Sequence, residues 1–258
     1  MITSTSNPKV KELVQLQKKA KHRNQAGVFI AEGSRMVLET PVERIKQLYI
    51  SESYFEKGGQ KLDEEGYDFE ILSDNVFSYV SDTKTPQGIL AIVKRKEYKL
   101  EDIINVKNPH IMVLDNLQDP GNLGTIFRTA EAAGVTGIVL SRDCVDIYNP
   151  KVIRSTMGAI YRMPFVYVDD LLDALSKMKE KGIKTYAAHL KGKNSYDREN
   201  YKDACAFLIG NEGNGLREEI SDKADIWIRI PMEGEAESLN AAVAAAVLMF
   251  EAARQRRQ

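Results

Sequence analysis

From His110 to Pro231 short apolar runs alternate with amphipathic ones, and few folds accommodate that order. HIMVLDNL, VTGIVLS, MPFVYV, KTYAAHL, ACAFLIG and DIWIRIP read as strands. TIFRTAEAAG, KVIRSTMGAIY, DLLDALSKMKEKG and NGLREEISDKA lie between them with helical spacing, and Gly134 and Gly182 stop two of these helices. Several of the strand runs are apolar throughout, which requires cover on both faces. Strands joined by helices in this way form parallel pairs with right-handed crossovers. The expected class is α/β, a mostly parallel sheet clad with helices. The final helix lies in ESLNAAVAAAVLMFEAARQ (237–255), which has no charged or polar residue from Ala241 to Phe250. A helix apolar all round is expected to be buried all round. Yet it opens on Ser238, Leu239 and Asn240, of which the two polar residues, Ser238 and Asn240, either cap it or serve a ligand.

The first half is less regular. A helix is expected from Val10 to about Lys21, then the strand GVFIAEG, and then SRMVLET as a helix with Ser34 as N-cap. QLYISE, DFEILSD and QGILAIVK read as further strands, separated by SYFEKGGQKLDEEG, a weaker helix, and the short NVFSYVSD. Residues 1–95 therefore suffice for a small α/β domain. The charged stretch KRKEYKLEDIINVKNP, centred on 96–108, reads as a linker to a second domain over 109–258.

Composition adds exclusions. With 258 residues, 43% hydrophobic, 28% charged and net charge −1, the chain has room for one large or two small globular domains. Charge is uneven: residues 1–46 carry nine cations against Glu12, Glu32, Glu39 and Glu43, a net +5, and Arg254, Arg256 and Arg257 end the chain. That asymmetry points mildly to a polyanion, although solvated helix faces would look the same. Cys144 and Cys205 form no CxxC pair, and His22, His110 and His189 are scattered, so no metal site is expected. The N-terminus lacks the apolar core of a signal peptide and Ala241–Phe250 is too short to span a bilayer, so a cytoplasmic protein with no membrane partner is expected.

In open parallel sheets ligands bind beyond the carboxyl ends of strands. Three such ends are unusual here. LDNLQDPGNLGTIFR (114–128) offers Gly121, Asn122, Gly124 and Arg128, in G-x-x-G spacing that is neither a P-loop nor a dinucleotide fingerprint. Counting the helix from Gly124 puts Arg128 in its first turn, where a cation opposes the helix dipole and calls for an anionic partner. FLIGNEGNGL (207–216) leaves only Asn211, Glu212 and Asn214 for side-chain contacts and suits backbone bonding to a flat ligand. IPMEGEAESLN (230–240) runs into the last helix, with Ser238 or Glu237 as its cap and Asn240 in its first turn. Together these loops make one plausible pocket.

LDNLQDPGNLGTIFRTAEAAG, FLIGNEGNGL and IRIPMEGEAESLNAAVAAAVLMFEA resemble, in order and spacing, the motifs of the SpoU (TrmH) family of RNA ribose 2′-O-methyltransferases, over roughly residues 110–255. KVIRSTMGAIYRMP resembles the segment between the first two motifs. GVFIAEGSRMVLE resembles the ribosomal-protein-like substrate domain that precedes many members. The resemblance implies a parallel-sheet SPOUT domain over 109–258, tied in a deep trefoil knot whose loops hold S-adenosylmethionine, after a small α/β/α RNA-binding domain over 1–95. Unaided topology rules disfavour a knot. The resemblance also implies a homodimer through the knotted domain, with both subunits contributing near each site. Structured RNA is the implied substrate, 23S rRNA before tRNA. A non-catalytic RNA-binding paralogue should lack Arg128, Asn240 or the glycine loops. An ordinary Rossmann enzyme should show G-x-G-x-x-G.

Carried over position by position, the resemblance makes Asn122, Arg128, Glu212, Ser238 and Asn240 catalytic, and Gly210, Asn211, Ile230, Met232 and Leu239 cofactor contacts, largely through backbone. Lys18, Lys19, Lys21, Arg23, Arg35 and Arg154 are expected to contact RNA. The implied reaction moves a methyl group from a sulfonium to a ribose hydroxyl, so the protein must align and activate a poor nucleophile. Arg128 is the activating group in the family, although a free guanidinium stays protonated, with a pKa of about 12.5–13.8. Arg128 is therefore expected to hold phosphate and hydroxyl, or to turn basic only when desolvated beside them. Ser238, Asn122 and Asn240 would orient Arg128 and the ribose, and Glu212 would fix the loop or Arg128.

Overall fold

The computed structural model describes residues 1–59, 62 and 66–257. The chain forms two compact units. One comprises Met1–Lys96 with Asp146–Tyr161, and the other Glu97–Val145 with the chain from Arg162 onward.

In the first unit, strands β1 (Val28–Glu32), β2 (Ile45–Ser51), β3 (Phe69–Leu72) and β4 (Ile89–Lys94) lie in the order β1-β4-β2-β3. β4 is antiparallel to both neighbours and β3 is parallel to β2. Residues of β1 point alternately to two faces, and all are buried. Val28 and Ile30 pack with Val10, Leu13 and Leu16, the apolar stripe of the Pro8–Lys18 helix. Phe29 faces the other way, its ring 5.1 Å from that of Tyr148 and 6.3 Å from that of Tyr161. Tyr161 in turn donates its hydroxyl to the Met36 carbonyl at 2.8 Å. The segment 146–161, assigned from the sequence to the second domain, thus covers the second face of the first unit's sheet, because Phe29 and Ala31 need burial as much as Val28 and Ile30 do.

Two local expectations change. The basic N-terminal helix is split into Pro8–Lys18 and Ala20–Ala26 by an extended Lys19, and Ser34 is the first residue of the Ser34–Leu38 helix, preceded by Gly33 at φ 97°. The weaker helix over 53–66 begins as helical turns over Glu52–Gly59, and part of its remainder lies outside the described residues.

The expected linker is also structured. Leu100–Ile104 is a helix, with Asp102 accepting from the Lys99 N–H at 2.8 Å, and Leu100, Ile103 and Ile104 are buried in the second unit's core. Their i, i+3, i+4 spacing is a helical apolar face that the surrounding charges obscured.

The second unit has strands β5 (His110–Leu114), β6 (Gly137–Ser141), β7 (Phe165–Val168), β8 (Lys184–Ala188), β9 (Asn194–Ser195), β10 (Cys205–Ile209) and β11 (Ile226–Arg229). They form one sheet in the order β7-β6-β5-β10-β8-β11-β9, with every pair parallel. The α/β class with a parallel sheet is therefore as the sequence indicates. β6 and β7 step away from β5 on one side while β10 joins it on the other, so the loops leaving β5 and β10 diverge at a switch point. On one face Leu171, Leu175, Met178 and Ile220 pack over Ile111, Val113, Val139 and Leu208. The helices Pro120–Ala132 and Ala241–Arg256 pack against each other, the latter burying Ala242, Ala245, Leu248 and Met249. That last helix is not covered all round: Val243 is 48% exposed and Phe250 45%. Among the described residues no helix is long and apolar enough to cross a membrane.

Candidate active site

Strands β5, β10 and β11 lead into the segments 115–122, 210–217 and 230–240, and hydrogen bonds join these segments in the second unit. The joint begins at Asp115, which is fully buried and accepts from the Arg217 backbone N–H at 3.0 Å and from its Nε at 2.9 Å. Asn116 sits at φ 54°, and its carbonyl accepts from Asn211 Nδ2 at 2.9 Å. Asn211 Oδ1 accepts the N–H groups of Gly213 and Asn214 at 3.0 and 3.1 Å, and its backbone exchanges two 2.9 Å bonds with Gly215. This closes the loop so tightly that a Cβ on Gly210 would lie 2.1 Å from the Gly215 carbonyl carbon. The 210–217 loop is thus clamped to the end of β5 at both of its own ends.

Within that clamp Glu212 reaches across. Its Oε1 accepts from the Asp119 N–H and from Asn122 Nδ2, both at 2.9 Å, and its Oε2 from the Gln118 N–H at 3.1 Å. Burial by itself raises the carboxyl pKa, but these three bonds favour the charged form and hold it below the ordinary range. Asn122 Oδ1 accepts from Asn240 Nδ2 at 2.9 Å, and Asn240 Oδ1 caps the last helix by accepting from Ala242 and Val243 at 2.9 and 3.3 Å. The direction of this chain follows from Glu212. An ionised carboxylate only accepts, so Asn122 turns its amino group there and its oxygen to Asn240, whose oxygen is left for the helix.

The structure therefore brings Asn122, Glu212, Asn240, Asn211 and Gly210 together. Asn240 is the cap itself, rather than a first-turn residue behind a Ser238 cap. Ser238 is exposed two residues earlier and makes no hydrogen bond among the described residues. Arg128 is placed differently from expectation. Its helix starts at Pro120, with Asp119 as the cap accepting from the Asn122 N–H at 2.8 Å, so Arg128 lies in the third turn and the dipole argument lapses. Six residues past Asn122, it projects roughly 120° away around the helix. It is exposed and has no ion-pair or hydrogen-bond partner among the described residues.

Of the six expected RNA contacts, Lys18, Lys19 and Lys21 are exposed. Arg23 is not available to RNA: it is 3% exposed, pairs with Asp146 at 2.6 Å and donates to the Leu16 and Gln17 carbonyls. Arg35 is held by Glu39 at 2.9 Å, and Arg154 by Asp82 at 2.8 Å.

Ile230, Met232 and Leu239 are half-buried, and among the described residues 231–239 make no backbone hydrogen bond. Half-covered apolar side chains beside unclaimed backbone N–H and C=O groups suit a ligand with a flat ring and a hydrogen-bonding edge, so the residues present fit S-adenosylmethionine. No group of three His, Cys, Asp or Glu among the described residues is placed to hold a metal ion. Sequence reasoning missed the Asp115–Arg217 clamp and the N–H groups of Gln118 and Asp119. A lone Asp at a strand end, ahead of the DPGN turn, was the available signal.

Residues 109–250 match the SpoU rRNA Methylase family, and residues 7–91 match the MRM3-like substrate binding domain. The chain is 35% identical to the 23S rRNA (guanosine(2553)-2′-O)-methyltransferase RlmP of Bacillus subtilis, with 96% of this chain and 97% of that one covered. It is also similar to the crystal structure of an AdoMet-bound rRNA methyltransferase from Sinorhizobium meliloti, at 33% identity and a TM-score of 0.86, covering 98% of this chain and 97% of that one. The SpoU methyltransferase AviRb from Streptomyces viridochromogenes, in complex with AdoMet, is similar at 25% identity and a TM-score of 0.87, covering 98% and 99%. With the SpoU match spanning more than half of the chain, and the loops that carry its motifs joined as described, this chain belongs to the SpoU rRNA methylase family.

Proposed function

We propose that this protein transfers the methyl group of S-adenosylmethionine to a ribose 2′-hydroxyl of large-subunit ribosomal RNA, in the cytoplasm. The observation that carries the reading is the Glu212–Asn122–Asn240 chain, which ties together three loops at the carboxyl end of one parallel sheet. Bound there, S-adenosylmethionine supplies an electrophilic methyl group. Gly210 and Asn211, with Ile230, Met232 and Leu239, are the residues that would hold it. Glu212 keeps Asn122 oriented, Asn122 keeps Asn240 oriented, and the exposed Ser238 beside Asn240 is free to meet the ribose. As in the expectation from sequence, these loops are proposed to lie in a trefoil knot.

Arg128, exposed and unpartnered among the described residues, is free to take an anionic partner from outside. The same reading makes the protein a homodimer through the second unit, covering Val243 and Phe250 and bringing Arg128 to the partner's site, where it grips phosphate and the 2′-hydroxyl. Lys18, Lys19 and Lys21 contribute phosphate contacts, so RNA affinity falls steeply with salt. In single-turnover methylation at saturating RNA, Arg128→Ala is expected to lose about 100-fold or more, and near-normal rates would remove Arg128 from the mechanism. S-adenosylmethionine should raise the melting temperature where NAD does not. If neither methylation nor this stabilisation is seen, the reading fails.

A further inference from the structure

We propose that a cavity within the first unit receives one unstacked nucleotide of the substrate RNA; this rests on the RNA-methylating reading above. The cavity, about 310 Å³, opens between the end of β2, the start of the Asp74–Val80 helix and the loop before β4. Small-molecule sites begin at about 300 Å³, which fits one nucleotide and nothing much larger.

The walls are built in advance. Glu32 is only 6% exposed, and its carboxylate accepts the Ser81 hydroxyl, the Thr83 hydroxyl at 2.8 Å and the Asp82 N–H at 3.1 Å, fixing the start of the loop. Gln87 fixes its end, with Oε1 accepting the Ser34 N–H at 2.7 Å. Gly88, at φ 84°, lies so close to the facing wall that a Cβ there would be 2.6 Å from Ser51 Oγ and 2.9 Å from Tyr54 Cβ. Neither wall therefore needs to be ordered when a ligand arrives, which favours binding.

The lining matches a nucleotide group by group. Tyr54 and Pro86, both part-exposed, offer flat apolar surfaces on which a base can stack, over a floor formed by the buried Phe77. Asp74 accepts the Ser53 N–H with one carboxylate oxygen and the Ser53 hydroxyl with the other, and each oxygen keeps a lone pair that can accept an amino or imino hydrogen of a base. The hydroxyl of Ser78 and the amino group of Gln87 remain for ribose or base edges, and Lys57 supplies a cation for phosphate. The exposed Lys84 lies two residues from Pro86 on the same loop. Asp74 argues against a bare phosphate or other simple anion. A paired base hides both its faces and its edge, so only a nucleotide extruded from a loop or bulge can use stacking surfaces and a carboxylate together.

The test uses the full-length protein and Ser78→Trp, which fills the cavity from an exposed position, with Lys57→Ala as a second variant outside the core. The substrate is rRNA from a strain lacking the gene. For Ser78→Trp the KM for RNA should rise about tenfold, within the range that loss of one base stack gives, and for Lys57→Ala severalfold, while kcat at saturating RNA and the KM for S-adenosylmethionine stay within twofold. A fluorescein-labelled hairpin with a single-nucleotide bulge should bind wild type about tenfold tighter than its fully paired counterpart, and Ser78→Trp should abolish that preference. Unchanged KM for RNA in both variants, or a wild type indifferent to the bulge, overturns the cavity's role and leaves the methyltransferase reading standing. Absence of methylation by wild type overturns that reading instead, and the bulge measurement still decides whether the cavity takes a nucleotide.

Discussion

Asn240 does two things with one amide: its oxygen caps a helix and its amino group holds Asn122. The two can be separated. Aspartate caps as well as asparagine does, but it cannot donate to Asn122. Asn240→Asp should therefore unfold in urea within about 1 kcal/mol of wild type, whereas Asn240→Ala should lose about 1 kcal/mol or more. Both should lose affinity for S-adenosylmethionine in calorimetry, because Asn122, its side chain then held by Glu212 alone, no longer ties the segment 230–240 to the other two. If Asn240→Asp bound the cofactor as wild type does, the chain through Asn122 would have no role in the site. At this scale the sequence was informative about identity and uninformative about partners. Asn122, Glu212 and Asn240 stood out as polar residues among glycines, but Asn122 is far along the chain from the other two, and their spacing says nothing of which amide faces which. Arg23 shows the opposite case. It read as a surface cation, yet after the break at Lys19 its guanidinium lies against the Leu16 and Gln17 carbonyls and Asp146.

Among elements, the loop after β10 depends on the end of β5. Asp115 is fully buried, and Arg217 with 41% of its side chain exposed is its counter-ion. Arg217→Ala would leave a buried carboxylate without its cation. Removal of one partner of a fully buried pair costs about 3–5 kcal/mol, and the part-exposed guanidinium lowers the expectation below that range. Denaturant unfolding should show the loss, and cofactor affinity should fall with it because Gly210 to Asn214 lose one of their two anchors. An Arg217→Ala protein with unchanged stability and affinity would show that the loop holds its shape unaided. The strands other than the polar, two-residue β9, and most of the helices between them, could be read from apolar periodicity, which is a local property. The helix at Leu100–Ile104 could not, since three apolar residues among lysines and acids acquire meaning only when a core lies beneath them.

For the whole molecule, two measurements follow. His110 is 1% exposed at the start of β5, and burial, with Arg256 nearby, pushes its pKa down from 6.5 to about 3. A group with a depressed histidine pKa binds its proton more readily when unfolded, so stability rises with pH between those values. The free energy of unfolding in urea should fall as pH drops from 6.5 toward 3, by up to about 1.4 kcal/mol per pH unit from this residue, and His110→Phe should flatten that slope. The second concerns division of the chain. Removal of residues 1–96 would strip Phe29 and Met36 from Tyr148 and Tyr161 and leave the 146–161 segment uncovered. The remaining chain should aggregate or lose its sharp thermal transition in calorimetry, and a monodisperse, cooperatively folding product would show that 146–161 needs no such cover.

The sequence by itself determined the α/β class, every strand but the two-residue β9, and the three loops, because apolar period and glycine-asparagine chemistry act over a few residues. Only the tertiary structure decided that Asn240 caps while Asn122 links, that Arg23 is buried and Arg128 unpartnered among the described residues, and that 146–161 serves the first unit. Each of these depends on what lies opposite in space, and burial and hydrogen-bond partnership are set by packing between residues that the chain order keeps far apart.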